Sequence, residues 1–284
     1  MSPSKSTRRV AFQGERGAFS EEAAVKLLGE DIELVPRPTF EAMFSAISDG
    51  AADLILSPIE NSLAGSVHRC YDLLLETKLT IIGEVILPIT HNLIGPQGAK
   101  LDQVRTVQSH PVALAQCTRF FEAHPDIQRV VAEDTGGSVR EVVQSGDPSR
   151  AAIASRRAAQ IYGGAILQEH LEDHRENYTR FLLLVPDGVK PAGANKISLV
   201  AFLRHEPGAL FHALEPIARR NINLVKIESR PLVGLPWEYC FYLDLLADPS
   251  SPETQAALAE LRQKTRDLHV FGCYVAAQIP QNHN

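Results

Sequence analysis

The sequence predicts an α/β protein built in two parts, and two features of its patterning carry that expectation. Over the first two-thirds, a short apolar strand, a turn rich in Gly, Ser or Asn and an amphipathic helix recur in that order. This alternation is what a mostly parallel sheet covered by helices requires. Pro and Gly then cluster without periodicity at Pro186-Asp-Gly-Val-Lys-Pro-Ala-Gly193, as in a linker. Beyond it, about 80 residues read strand, helix, strand, strand, helix, strand, which is the ferredoxin-like βαββαβ order.

The first repeat joins Arg9–Phe12 to the turn Gly14–Ser20. Ser20 is expected to cap a helix that buries Ala24, Leu27 and Leu28, and Gly29 to supply a left-handed stop. The second joins Leu54–Leu56 to Ser57–Ser66 and a helix with Val67, Tyr71, Leu74 and Leu75 on one face. The third and fourth run from Thr106–Gln108 into Ser109–Pro111 and from Val130–Ala132 into Asp134–Ser138. Leu182–Val185 reads as a buried strand. After the break, strands are expected over Lys196–Leu203, Leu224–Arg230, Tyr239–Leu246 and His269–Tyr274, with helices over Gly208–Arg220 and from Thr254 to about Leu268. The expected domains are residues 7–186 and 195–279.

At 284 residues and 44% apolar content, the chain can bury a sizeable core. A formal charge of −6 argues against a nucleic-acid or anionic-membrane partner, since either calls for a basic face. Cys70, Cys117, Cys240 and Cys273 are too widely spaced for a zinc or redox pair and are expected to be buried thiols. Met1–Arg9 runs into a strand without the apolar stretch of a signal peptide, and no later run approaches the roughly 20 apolar residues of a membrane span. A reducing cytoplasm is the expected location. The P-loop, the Rossmann fingerprint, His-Glu-x-x-His and Gly-x-Ser-x-Gly are all missing from the sequence, so no cofactor and no metal are expected.

Ligands of open α/β sheets bind beyond the carboxyl ends of the strands, so the turns are the candidate site. Ser57-Pro-Ile-Glu-Asn-Ser-Leu-Ala-Gly65 sets a carboxylate, an amide and two hydroxyls before a helix whose N–H groups favour an anion; equally, Asn61 or Ser62 caps that helix. In Ser109-His-Pro111, Ser109 can cap and Pro111 suits a first helical turn, with Gln116 on the same helix; His110 alone is as consistent with a polar surface group. Asn177-Tyr-Thr-Arg-Phe181 puts Thr179 and Arg180 at the start of a buried strand. Arginine can fix a carboxylate bidentately and a fixed hydroxyl can stabilise a leaving oxygen, while the plainer alternative is a strand-forming Thr beside a surface Arg. In the second part, Glu206-Pro-Gly-Ala-Leu210 places a tight loop at a helix start suited to a small carboxylate, and Ile227-Glu-Ser-Arg-Pro231 ends a strand as a site or as an ordinary edge.

Taken together these segments resemble the prephenate dehydratase family across nearly the whole chain. The stretches that carry the resemblance are Gly14-Glu-Arg-Gly-Ala-Phe-Ser20, Pro58-Ile-Glu-Asn-Ser62 with Gly65, Ser109-His-Pro111 with Ala115-Gln-Cys117, Asn177-Tyr-Thr-Arg-Phe181, Pro207-Gly-Ala-Leu210 and Glu228-Ser-Arg-Pro231. Val112 stands where relatives often have Gln, Val225 replaces a frequent Thr, and Asp134-Thr-Gly-Gly-Ser138 is richer in glycine than usual.

The resemblance implies a catalytic region of two lobes, like a type II periplasmic binding protein, with the active site between them. It also implies a C-terminal ACT domain that binds L-phenylalanine as inhibitor at a dimer interface, and hence a homodimer or homotetramer. The substrate it implies is prephenate, or arogenate as in the family's arogenate dehydratases; a non-catalytic amino-acid sensor is the rival from another class. Catalysis is expected from Thr179, Arg180, Glu60 and Asn61: Thr179 donates to the leaving hydroxyl, while Arg180 and the helix N-termini after Asn61 and Ser109 hold carboxylates. Glu60 or His110 is the proton source. Ser62, Gly65, Ser109, His110, Gln116, Thr135, Asn177 and Phe181 are expected to contact substrate. Gly208, Ala209, Leu210, Asn223, Glu228, Ser229, Arg230 and Pro231 are expected to form the effector site.

Overall fold

A computed structural model describes residues 7–232 and 234–280. The chain divides into two compact units, one of Met1–Thr77, Val85–Leu182 and Gln278–Asn284, the other of Lys78–Glu84 and Leu183–Ala277.

The first unit opens with β1 (Arg8–Gln13), α1 (Phe19–Leu28), β2 (Ile32–Arg37), α2 (Phe40–Ser48), β3 (Leu54–Asn61), β4 (Gly65–Ser66), α3 (His68–Glu76) and β5 (Thr80–Pro88). It continues with β6 (Asn92–Gly95), β7 (Thr106–Ser109), α4 (Pro111–Ala115), α5 (Thr118–Ala123), β8 (Gln128–Val131), α6 (Thr135–Ser145), β9 (Arg150–Ala154), α7 (Arg156–Tyr162), β10 (Ala165–Gln168) and β11 (Tyr178–Val185). Two sheets result, one in the order β2-β1-β3-β11-β5 with β4 paired to β3, the other in the order β10-β6-β9-β7-β8. The chain leaves the first sheet after β5 and returns to it in β11, so the unit has two lobes joined by two crossings. This is an α/β architecture of two lobes. The second sheet is mixed rather than mostly parallel, because β6 runs antiparallel to both β9 and β10.

Burial explains why these segments are strands. Val10, Ala11, Phe12, Ile55 and Leu56 are fully buried, with Val10 and Ala11 beside Leu54 and Ile55 in parallel register. Near-continuous apolar strands of this kind belong to sheets covered on both faces. In the other lobe, Leu93, Val107, Ile153 and Phe120 share one core, and Ile94, Val139, Ala152 and Ala158 a second.

Several local expectations are corrected. Ser20 does not cap α1: it is buried in the first turn, and Ala18 precedes the helix without a side-chain bond. Gly29 ends that helix with φ +83° but ψ 179°, outside the left-handed helical well. Ser57–Asn61 is not a turn before a helix but the end of β3, which turns back into β4; α3 starts only at His68. At α4 the cap is His110, whose Nδ1 accepts the Val112 N–H at 3.3 Å, while the Ser109 hydroxyl is buried and donates to Ile153 O at 2.6 Å. Gln116 lies just past the end of α4. The glycines of Asp134–Ser138 have a steric cause: a Cβ on Gly136 would lie 2.5 Å from Arg16 O, so only glycine lets the start of α6 lie against the Gly14–Ala18 loop.

The second unit contains β12 (Lys196–Phe202), α8 (Ala209–Arg219), β13 (Asn223–Pro231), β14 (Tyr239–Leu246), α9 (Pro252–Lys264) and β15 (Asp267–Tyr274). Its antiparallel sheet runs β13-β14-β12-β15, the ferredoxin-like arrangement, around a core that includes Ile197, Leu199, Ile217, Leu243 and Leu261. The α9 helix ends at Lys264 and β15 begins at Asp267, both earlier than the sequence suggests. Lys78–Glu84 joins this unit physically: Lys196 Nζ lies 3.0 and 2.9 Å from the two Glu84 carboxylate oxygens, and a Cβ on Gly272 would lie 2.1 Å from Ile81 O. Cys70, Cys117 and Cys240 are buried, whereas Cys273 is only half-buried.

Candidate active site

The two lobes of the first unit enclose a cleft of about 410 Å³, within the range of small-molecule sites. Its floor is set by adjacent strands. Along β11, side chains alternate between faces, so Thr179 and Phe181 line the cleft and Arg180 does not. Arg180 pairs with Glu60 Oε2 at 3.3 Å, and Glu60 also lies outside the lining. Arg180, expected to grip a substrate carboxylate, is thus not among the residues that line this cleft.

Asn61, the last residue of β3, organises the floor. Its Oδ1 accepts the N–H groups of Leu63 at 3.0 Å and Ala64 at 2.8 Å, which fixes which amide atom is oxygen and forms the turn into β4. Its Nδ2 then faces Asn177 Oδ1 at 2.8 Å, Tyr178 O at 3.1 Å and Thr179 Oγ1 at 3.1 Å. Gln116 reaches across from the other lobe, donating to Asn61 Oδ1 at 3.3 Å while its Oε1 accepts from Asn177 Nδ2 at 2.9 Å. Asn61, Asn177 and Gln116 thus close a ring of side-chain amides, each donating to the next. An amide nitrogen offers no acceptor, so the hydrogen on Thr179 Oγ1 is not consumed by Asn61.

Of the other sequence candidates, Gly65, His110, Gln116 and Thr135 line the cleft. Ser62, Ser109 and Asn177 support it from behind. Ser62 Oγ donates to Glu176 O at 2.8 Å and accepts from Tyr178 N at 2.9 Å, stapling the β3–β4 turn to the approach of β11. Burial lowers the His110 pKa from its ordinary value against the opposing pull of Asp134. The imidazole is therefore neutral near pH 7, and with Nδ1 occupied by the Val112 N–H, its Nε2 carries the hydrogen.

Phe19 and Asp134, from segments the sequence reading quotes without giving them a role, also line the cleft, as do Phe40, Ile89, Glu133 and His91, which it passes over. His91 is 1% exposed and its Nε2 lies 2.9 Å from Gln116 Oε1. A lone His between two apolar strands carries no pattern that would single it out. No Lys or Arg lines the cleft among the described residues. The N-terminal ends of α1, at Phe19 and Ser20, of α3, at Ser66 and Val67, and of α6, at Thr135, also line it, and helix N-termini favour anions. Among the described residues, no group of three or more His, Cys, Asp or Glu stands in a metal-binding arrangement.

The rim is braced across the lobes. The Glu21 carboxylate, fully buried, accepts from Arg16 Nε at 2.8 Å, Gly17 N at 3.0 Å and Arg157 Nε at 2.8 Å. Burial by itself would raise its pKa, but these three donors outweigh burial and hold it below the ordinary 4.5.

The unit is thus a two-lobed α/β protein whose cleft has a floor of neutral donors and helix N-termini in its lining. The chain belongs to the prephenate dehydratase family, whose sequence model matches residues 10–188. It is 42% identical to arogenate dehydratase/prephenate dehydratase 1 of Arabidopsis thaliana, a chloroplastic protein, over 94% of this chain and 71% of that one. The structure of prephenate dehydratase from Arthrobacter aurescens in complex with L-Phe superposes with a TM-score of 0.86 at 30% identity, covering 94% of this chain and 90% of that one. GqqA, described as a quorum-quenching acylase, also gives a TM-score of 0.86 at 33% identity, covering 95% of this chain and 98% of that one.

Proposed function

We propose that this chain converts prephenate to phenylpyruvate, and that the arrangement of Thr179 against Asn61 carries the chemistry. In this reaction the bond to the ring carboxylate breaks, its electron pair enters the ring, and the C4–oxygen bond releases hydroxide, which takes one proton to become water. Aromatisation drives the process, so the protein has to hold a dianion, orient both leaving groups and offer hydrogen bonds to the departing oxygen. Thr179 has its hydrogen available for that oxygen. The helix N-termini and His110 Nε2–H hold the carboxylates as hydrogen-bond donors; the neutral His110 ring keeps its hydrogen, and the departing hydroxide takes its proton from solvent. Shape does not choose the reaction, since an acylase shares the fold. The floor chemistry favours dehydration, because Thr179 Oγ1 is bonded by a donor amide and not by a base that would make it a nucleophile.

The second unit holds a cavity of about 290 Å³ lined by Gly208, Ala209 and Leu210 together with Trp237, Tyr239 and Phe241. A helix start beside aromatic rings suits the carboxylate and ring of L-phenylalanine, which supports reading this unit as an ACT domain that inhibits the enzyme. Asn223 and Glu228–Pro231 lie on the edge strand β13 rather than in that cavity, and a sheet edge is a place where an adjoining subunit of a dimer or tetramer can pack. No described helix is long and apolar enough to cross a membrane, and four cysteines widely spaced in the sequence fit a reducing compartment such as the cytoplasm. Supplying prephenate and arogenate separately to the purified protein tests the substrate. Phenylpyruvate from prephenate is expected; turnover of arogenate alone makes this an arogenate dehydratase, and turnover of neither removes the proposal.

A further inference from the structure

We propose that His91 is a positioning residue that locks the ring of amides bridging the two lobes and so holds Thr179 in register with the leaving hydroxyl; this rests on the dehydratase reading above. His91 sits in the connection between β5 and β6, with its backbone fixed on both sides: its N–H donates to Glu172 Oε2 at 2.8 Å and its carbonyl accepts from Leu171 N at 2.9 Å. The ring of Phe19, itself part of the cleft wall, meets the imidazole edge-on at 5.6 Å between centroids. The side chain therefore has one orientation.

Its chemistry is equally constrained. Gln116 Oε1 already accepts from Asn177 Nδ2, and an amide oxygen cannot donate, so His91 Nε2 carries the hydrogen at this 2.9 Å contact. Nδ1 is left buried with no partner. An orphaned buried acceptor is costly, and core packing alone would be served by an aromatic ring without it. Burial lowers the His91 pKa against the opposing Gln116 bond, so the ring is neutral and the lone pair on Nδ1 stays bare. Gln116 is the one member of the amide ring that comes from the second lobe, and His91 holds its far side. Without that hold, Gln116 can rotate away from Asn61 and Asn177, and the floor under Thr179 loosens. Displacements of about 1 Å at a reacting group cost on the order of 100-fold in rate.

His91→Phe keeps the ring and loses the donor, whereas His91→Gln places an amide N–H near the position of Nε2. With folding checked by thermal denaturation, we expect kcat on prephenate to fall roughly 10- to 100-fold in His91→Phe with KM within about threefold of the parent, and His91→Gln to recover most of the loss. In a Thr179→Ala background, His91→Phe should add less than about twofold, because the two act through one interaction. Parental turnover in His91→Phe, or His91→Gln no better than His91→Phe, overturns the proposal. Nitrogen-15 NMR of the histidine rings decides it without any assay: a neutral Nε2–H tautomer for His91 is required, and an Nδ1–H tautomer refutes it whatever the substrate. A parent that forms no phenylpyruvate defeats the dehydratase reading, and the tautomer still settles whether His91 anchors Gln116.

Discussion

At Thr179, the contact to Asn61 Nδ2 at 3.1 Å decides the direction of the hydroxyl's own hydrogen bond. If Thr179 donates to the leaving hydroxyl as proposed, Thr179→Ala should lower kcat about 100-fold with KM little changed, and Thr179→Ser should retain most of the activity. Steady-state kinetics on prephenate measures both. Arg180 faces Glu60 on the other side of β11, outside the cleft lining, with its own side chain largely buried and that of Glu60 partly exposed. Arg180→Lys should accordingly move KM by less than about threefold; a larger rise would restore Arg180 to the substrate. His110 belongs to the same scale. Because burial holds its folded pKa below 6.5, it stays neutral from there upward, and turnover should show no change attributable to it between pH 7 and 8. A His110-dependent inflection in that window, seen as its loss in His110→Gln, would contradict the assignment.

Between elements, glycine and one buried carboxylate set how closely the lobes approach at the rim. Gly136→Val would drive a side chain into Arg16 O, 2.5 Å from the position of its Cβ, and should push α6 away from the Gly14–Ala18 loop, raising KM for prephenate. Glu21 ties that loop to α7 through Arg157. Its folded pKa is lowered, so its stabilising contribution is complete above the unfolded value of about 4.5 and disappears as pH falls through the folded value. Glu21→Gln should cost about 1–3 kcal/mol at pH 7 by denaturant titration, with the difference from the parent shrinking in acid. An equal difference at pH 7 and pH 3 would mean that packing and not charge is lost.

Across the molecule, the second unit carries its own cavity at Gly208 and its own buried charges at Lys196 and Glu84. Gly208 has φ +79°, and a Cβ there would lie 3.2 Å from His212 Nε2. Gly208→Val should therefore abolish inhibition by phenylalanine in initial-rate titrations while leaving basal turnover intact. Inhibition unchanged in that variant would place the effector site elsewhere.

The sequence by itself determined the repeated strand–turn–helix units, the linker and the βαββαβ order, because period and punctuation are local properties fixed by backbone geometry. It also brought Thr179, Asn61, His110 and Gln116 to notice through their turns. What it could not supply was direction and company. Whether Arg180 or Thr179 faces the cleft depends on which face of β11 is covered. Ser57–Asn61 reads as a helix entrance until β11 pairs with it and draws it out as strand. His91 has no motif, and its role exists only where Gln116, arriving from α4 in the other lobe, turns its carbonyl oxygen toward it. The joining of Lys78–Glu84 to the second unit likewise rests on Lys196, more than a hundred residues away along the chain. Such long-range contacts are decided by packing and by the need to satisfy buried polar groups, and these act only once the chain has folded.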